Sequence, residues 1–330
     1  MSVRRVVLTI MGVAAAALVL ATPFLTDDRY LLKVLIFVGV NVIVIAGLAL
    51  LFGHAGQISL GHAAFVGIGA YTSAYLTTAA GLPWLLGMAA GTALAAAAGL
   101  LLALPSLRLK GHYLAMATLG FNEIVYVLFR ELRGITGGND GLGGIPFPQI
   151  GTVRIDSPAG VYLLVWGIAL LVVVLVANIA RSRPGRGMLA IHGTETGAVA
   201  CGVDTVRLKV QTFTLSAGLA GLAGTLYAHS VGFIAPTTFA LDQSVIYVAM
   251  VVVGGTASLA GPVIATVALT LLPYADALIP GLGKEAIAFL QDWEADLYGL
   301  AMNAVVILMP AGFAGLLRAR ARRAEAGEPS

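Results

Sequence analysis

Apolar positions along the chain fall in long blocks rather than at a half-buried helix or strand period. Nearly unbroken apolar runs occupy roughly residues 6–25, 31–52, 63–80, 84–104, 113–129, 160–180, 211–233, 243–255, 261–279 and 297–317. A helix needs about 20 such residues to cross a ~30 Å hydrocarbon core at 1.5 Å per residue. The pattern therefore predicts up to ten helical spans, with the short pair between 243 and 279 the least well supported. The first run follows Arg4 and Arg5 and contains Val19-Leu20-Ala21, a weak likeness to a signal-peptide cleavage site. More membrane segments follow it rather than a secreted domain, so an uncleaved first span is the expectation.

Composition narrows the class. Hydrophobic residues make up 59% of the 330 positions, charged residues 11%, and mean hydropathy is +0.94. A soluble domain carries about a quarter charged residues, so a cytosolic enzyme, a disordered chain and a collagen-like repeat are all excluded. The fold class expected is an all-α polytopic transmembrane bundle of about eight to ten spans, interrupted by broken helices. The single Cys201 has no intrachain disulfide partner and is expected to be a small buried residue.

The net charge of +3 would by itself allow a nucleic-acid partner, but the placement of the charges explains it better. With the N-terminus inside, inner loops receive Arg4, Arg5, Arg108, Lys110, Arg181, Arg183, Arg186, Arg207, Lys209 and the tail arginines 318, 320, 322 and 323. Arg29, Lys33, Arg130, Arg133, Arg154 and Lys284 fall outside. Positive charge accumulates on the inner side of membrane proteins, so both termini are expected in the cytoplasm. No nucleic-acid partner is expected.

Two non-membrane stretches are substantial. The external one, about 130–158, holds Thr136-Gly-Gly-Asn-Asp-Gly-Leu142 and Gly143-Gly-Ile-Pro146, dense in turn formers. The internal one, about 181–209, opens with Arg181-Ser-Arg-Pro-Gly-Arg-Gly187, where Pro and Gly are expected to stop the preceding span. Met188 to Val203 then resumes as a short Ala-rich helix, too short to cross a bilayer and suited to docking a cytoplasmic partner.

Polar residues inside apolar runs mark the candidate chemistry. Gly53-His-Ala-Gly-Gln-Ile-Ser-Leu-Gly-His62 interrupts two runs and places His54, Gln57, Ser59 and His62 at membrane depth. Such groups are tolerated where they face protein or water; the alternative is a polar turn on the inner side. The two histidines are too far apart for a metal-binding helix face, and no metal is expected. A second break, Gly254-Gly-Thr-Ala-Ser-Leu-Ala-Gly-Pro262, shares its Ser-Leu-small-small core and adds Gly254, Gly255 and Ser258 to the candidates. Paired interrupted spans point to a transport path. Glu123 is a carboxylate well inside a span, either functional or a helix-to-helix hydrogen-bonding group with Asn41, Gln57, His62, His229 or Asn303 as possible partners. Small residues at helical spacing, at Ala63, Gly67 and Ala70, Gly87 to Gly91, and Ala217 to Gly224, favour close helix packing. No nucleotide-binding phosphate loop, metalloprotease motif or nucleophile elbow is present.

Taken together, these stretches resemble the permease subunits of branched-chain amino acid ABC transporters, the hydrophobic amino acid uptake family, of the LivM-like type. The resemblance rests on Gly56-Gln-Ile-Ser-Leu-Gly-His-Ala-Ala-Phe65 with Gly69-Ala-Tyr71, Tyr113-Leu-Ala-Met-Ala-Thr-Leu119 with Glu123, and Thr136 to Leu142. Gly185-Arg-Gly-Met-Leu-Ala-Ile191, Phe213 to Gly224, and Gly254-Gly to Gly261-Pro262 continue it in the family's order. It implies a single permease domain over 1–330, with a basic cytoplasmic tail at 318–330, in a bacterial cytoplasmic membrane. It also implies a second homologous permease chain, two cytoplasmic ATPases that hydrolyse ATP, an external substrate-binding protein, and no cofactor bound by this chain. The segment Ala190 to Val203 would be the coupling helix, with Ala190, Ile191, Glu195, Ala198 and Gly202 meeting the ATPase. The sequence departs from the family there, with His192-Gly193-Thr194 in place of Arg-Asp-Asn and Val199 where Glu is common. The implied substrate is leucine, isoleucine, valine or a related amino acid or amide; the alternative function is an independent secondary transporter.

Overall fold

The computed structural model describes residues 19–23, 28–106, 111–150, 153–255 and 258–274, with Trp293 and Leu300 as isolated positions. The expected first span lies largely outside this set, as do, apart from Leu300, the expected last span with Asn303 and the basic tail.

The fold is an all-α bundle. Helix α1, Arg29–Ala49, begins at Asp28, whose Oδ1 accepts from the Tyr30 (2.8 Å) and Leu31 amides, and ends in a π-helical turn, Leu50–His54. Helices α2 (His62–Thr78), α3 (Trp84–Ser106) and α4 (His112–Glu131) follow. After the glycine-rich segment that follows α4 come α5 (Pro158–Arg181), the short α6 (Arg183–Gly193) and α7 (Glu195–Ala200), then α8 (Thr205–Val231). Helices α9 (Leu241–Gly254) and α10 (Ala260–Leu271) complete the described bundle.

Four described helical segments are long and apolar enough to cross a membrane: Arg29–His54, Trp84–Pro105, Pro158–Arg181 and Pro236–Gly254. Their surroundings differ. On α1, Val38, Ile43, Val44 and Ile45 are fully buried, as are Leu50 and Leu51 in the turn that follows, so most of this span is enclosed by protein. On α3, Leu86, Leu94, Leu101 and Leu104 are exposed, and on α5 so are Leu171 and Val174, the character of lipid-facing surfaces. Of the pair expected at 243–255 and 261–279, the first falls on α9, which with the preceding turn Pro236–Phe239 makes the fourth of these segments, and the second begins with α10, its residues beyond Tyr274 lying outside the described set. The two helices pack back on each other as a hairpin.

The small residues act as the sequence suggests, in a tight cluster of α2, α3 and α8. A side chain on Gly69 would strike the Gly221 carbonyl, one on Gly224 the Val66 carbonyl, and one on Gly221 the Ala95 methyl. Backbones approach where no Cβ intervenes, and dispersion rather than hydrophobicity holds such helices together in lipid.

The segment between α4 and α5, expected to be external, is ordered by short pieces of regular structure. Single turns at Arg133–Thr136 and Gly138–Asp140 lead to Leu142–Gly143, which pairs antiparallel with Phe233–Ile234, and Gln149–Ile150 pairs with Val153–Arg154. Gly137, Gly138 and Gly141 all take positive φ, which explains the glycine spacing. His229, buried on α8, fastens this segment: its Nδ1 lies 2.7 Å from the Pro146 carbonyl and its Nε2 2.8 Å from Ser73 Oγ.

One local expectation is corrected. The Pro184 segment does not form a loop before a later helix; only Ser182 separates α5 from α6, and Pro184 lies in the first turn of α6. The first helical turn has no use for an amide hydrogen, so proline starts a helix as readily as it stops one.

Candidate functional site

The polar break after α1 is held by residues far apart in sequence. His62 is 1% exposed and uses both ring nitrogens, Nδ1 3.0 Å from Ser59 Oγ and Nε2 2.8 Å from Ser216 Oγ on α8. The first amides of α2 are capped by other helices: Ala63 N–H donates to Ser244 Oγ of α9 (2.9 Å) and Ala64 N–H to Asn122 Oδ1 of α4 (3.0 Å). Ser244 also donates to Asn122 Oδ1 (3.1 Å), and the Leu60 amide donates to Thr118 Oγ1 (2.9 Å). A helix start buried in the bundle has unpaired donors that water cannot reach. Here two neighbouring helices, α4 and α9, supply the acceptors. Of the two sequence alternatives, the second half of the break, Ser59 to His62, takes the interior one.

Gln57 is half-buried and its Oε1 has no partner among the described residues, while Gly56 is exposed at φ +67°. His54 is buried in the π-helical turn, and its Nδ1 likewise has no partner among the described residues. The second break is built like the first. Gly255, at φ +85°, ends α9, Gly254 packs directly on Pro262, and Ser258 Oγ accepts from the Gly261 amide at 3.4 Å. Ser59 Oγ likewise accepts from the Gly61 amide at 3.4 Å. In both breaks the serine of the shared core accepts an amide at the start of the next helix, from Gly61 just before α2 and from Gly261 in the first turn of α10.

Glu123 does not pair with Asn41, Gln57, His62 or His229; it is half-buried and makes no hydrogen bond to a described residue. Its neighbour Asn122, wholly buried, carries the helix-to-helix contacts instead. The signal was available. Leu114, Thr118, Asn122, Val125 and Phe129 form the buried stripe of α4 at helical spacing, and Glu123 lies beside it.

The segment expected on the inner surface is two helices broken at Thr194, which is extended. Ile191 and Ala198 are buried against this chain, so they are withdrawn from any outward contact surface; Ala190 and Gly202 remain exposed. Glu195 is also committed internally, since Lys209 Nζ on α8 lies 2.5 Å from its Oε1. The outward apolar side chains are Leu189, Val199 and Val206, each about half exposed. His192, where the family pattern departs, places Nδ1 2.9 Å from the Gly53 carbonyl and so joins α6 directly to the polar break. Cys201 is exposed, contrary to expectation: it sits on the turn closing α7, with its amide bonded back to Gly197 and Ala198 and its side chain outward. Among the described residues no cluster of metal-ligating side chains occurs.

The Glu195–Lys209 pair gives a direct test. Glu195→Lys should lower the thermal midpoint of the detergent-solubilised protein by several degrees, because a half-buried cation loses its partner and gains a like charge. The double swap with Lys209→Glu should restore most of it. No recovery in the swap would mean that the pair does not hold α7 to α8.

The family described as branched-chain amino acid transport system permease component matches residues 30–308. The high-affinity branched-chain amino acid transport system permease protein LivM of Escherichia coli is 33% identical over 282 residues, 78% of this chain and 66% of that relative. The chain thus spans just under two thirds of its length. The probable branched-chain amino acid transport permease protein LivM of Methanocaldococcus jannaschii is 28% identical over 180 residues, 53% of this chain and 50% of the relative. The autoinducer 2 import system permease protein LsrC of Salmonella typhi is 27% identical over 136 residues, 41% and 38% of the two chains. No solved structure matches.

Proposed function

The chain belongs to the branched-chain amino acid transport system permease family, LivM-like in type and multi-pass in the membrane, and on that premise we propose that it forms the translocation path of an ATP-driven importer. The observation that carries the reading is the α6–α7 pair. These short surface helices, with outward Leu189 and Val199 beside Val206 at the start of α8, offer a partner an apolar docking face, and α6 touches the polar break through His192 and the Gly53 carbonyl. A push on α6 from a cytoplasmic ATPase therefore reaches the end of α1 through one hydrogen bond and the packing around Gly56.

In this reading a second permease chain completes the path, two cytoplasmic ATPases bind and hydrolyse ATP, and an external binding protein delivers leucine, isoleucine or valine. The chain has no catalytic role and binds no cofactor. It lies in a bacterial cytoplasmic membrane with both termini inside. Its 1–330 stretch acts as one permease domain, with Gln57, Glu123 and the glycine-rich breaks nearest the moving parts.

Reconstitution tests this. In proteoliposomes, the chain with a partner permease, both ATPases and a leucine-loaded binding protein should accumulate leucine only with ATP, and the chain alone should accumulate none. Concentrative uptake by the single chain under a proton gradient would replace the importer by a secondary transporter.

A further inference from the structure

The end of α1 leaves the α-helical hydrogen-bond register. In an α-helix the Ala55 amide would donate to the Leu51 carbonyl and the Gln57 amide to the Gly53 carbonyl. Instead the Ala55 amide reaches back to Leu50 (3.2 Å) and the Gln57 amide to Leu51 (3.1 Å), so the turn Leu50–His54 is π-helical and holds one residue more than an α-turn. The carbonyl left over is that of Gly53. It accepts from His192 Nδ1 of α6 at 2.9 Å; a carbonyl only accepts, so that nitrogen carries the hydrogen. Gly56 completes the arrangement at φ +67°, a conformation that side chains resist, with the His192 ring 3.4 Å from where a Cβ would stand.

This turn therefore has a second arrangement. If α6 withdraws, the Gly53 carbonyl is free for the Gln57 amide and the Leu51 carbonyl for that of Ala55, the bonds of an unbroken α-helix, while His192, already exposed, turns to water. Backbone bonds are exchanged rather than lost, so the two registers differ by little more than the His192 bond, and an element with two close states is one that a small push can switch. Shedding the extra residue turns the chain beyond it by about 100°. Ala55, now buried, is carried toward the place of the exposed Gly56, and Gln57 turns with it. We propose that the end of α1 is a two-register switch and that His192 is the positioning residue that sets it: the π register holds while α6 is seated, and the α register forms when α6 withdraws. His192 is also where the chain departs from the family's usual Arg-Asp-Asn. The part played by the switch in transport rests on the importer reading; the switch itself is intrinsic to this chain.

The test uses the assembled transporter in nanodiscs, with Cys201→Ser removing the native thiol and Ala55→Cys reporting the register. Reaction at 55 with methyl methanethiosulfonate is followed by mass. His192→Leu keeps bulk but has no donor, and should speed modification about tenfold, the population shift that loss of one hydrogen bond produces. His192→Asn offers an amide N–H in place of Nδ1 and should stay within about twofold of the parent. Gly56→Ala is strained in the π register and at ease in the α register, so it too should speed modification, and it decides alone if His192→Leu does not assemble. Three results overturn the proposal: no change with His192→Leu, no rescue by His192→Asn, or unchanged or slower modification with Gly56→Ala. ATP-driven leucine uptake by the wild-type complex is measured alongside. Uptake with no effect at 55 removes the switch and leaves the importer standing; no uptake removes the importer, while a His192-dependent change at 55 upholds the switch.

Discussion

Gly224→Leu should leave almost no folded protein. The added side chain meets the Val66 carbonyl and the Ala70 amide of α2, and both are backbone atoms of a helix that is itself pressed against α3 and α8. Overpacking of a core costs about 1–3 kcal/mol where side chains can yield. Backbone cannot yield without separating the helices, so the penalty is expected at or above the top of that range. Against a total stability of about 5–15 kcal/mol, this removes a large fraction. Fluorescence-detected size exclusion in mild detergent should show the monodisperse peak collapsing into aggregate. Gly120→Leu is the control, because no atom lies near the Cβ position there. Equal behaviour of the two variants would show that close approach of α2 and α8 is not what holds this bundle.

Asn122→Leu should be more damaging than Asn122→Asp, although leucine suits a membrane interior better than an acid does. Oδ1 of Asn122 accepts from the Ala64 amide and the Ser244 hydroxyl, whereas its Nδ2 has no partner. Leucine removes the acceptor and strands two buried donors, each worth about 1–3 kcal/mol when unsatisfied. Aspartate, carried as the neutral acid in this setting, keeps both bonds and sacrifices only the unused amide nitrogen. Thermal unfolding of the solubilised variants, read by the loss of the monodisperse peak, should rank wild type above Asp and Asp above Leu. The reverse order would mean that apolarity, and not capping of α2, decides stability at this position.

The two predictions differ in how visible they are from sequence. The Ala217 to Gly224 run announces close packing because small residues recur on one helical face. Asn122 announces its role less plainly: it shares the helical spacing of Leu114, Thr118, Val125 and Phe129, but nothing local says that this face of α4 is the buried one. Its neighbour Glu123 carries the charge and draws attention, yet a charge draws attention wherever it sits, and burial depends on which face of α4 meets α2. Likewise Ile191, Glu195 and Ala198 fit a surface helix by composition. Their burial or pairing depends on how α7 lies against α8, through contacts such as Lys209 to Glu195 that no local pattern encodes.

The sequence by itself determined the class: long apolar blocks, scarce charge and small-residue faces demand a helical membrane bundle, because lipid offers backbone groups no other partner. It also marked both breaks, since glycine, serine and histidine inside apolar runs are costly without a compensating interior. Only the tertiary structure decided what compensates them. Asn122, Thr118, Ser216 and Ser244 sit tens of residues from the break they satisfy and resemble ordinary polar residues in apolar helices. A cavity beside Asn41 is equally illegible in one dimension, because it is the space left where α1, α2, α8, α9 and α10 meet and belongs to none of them.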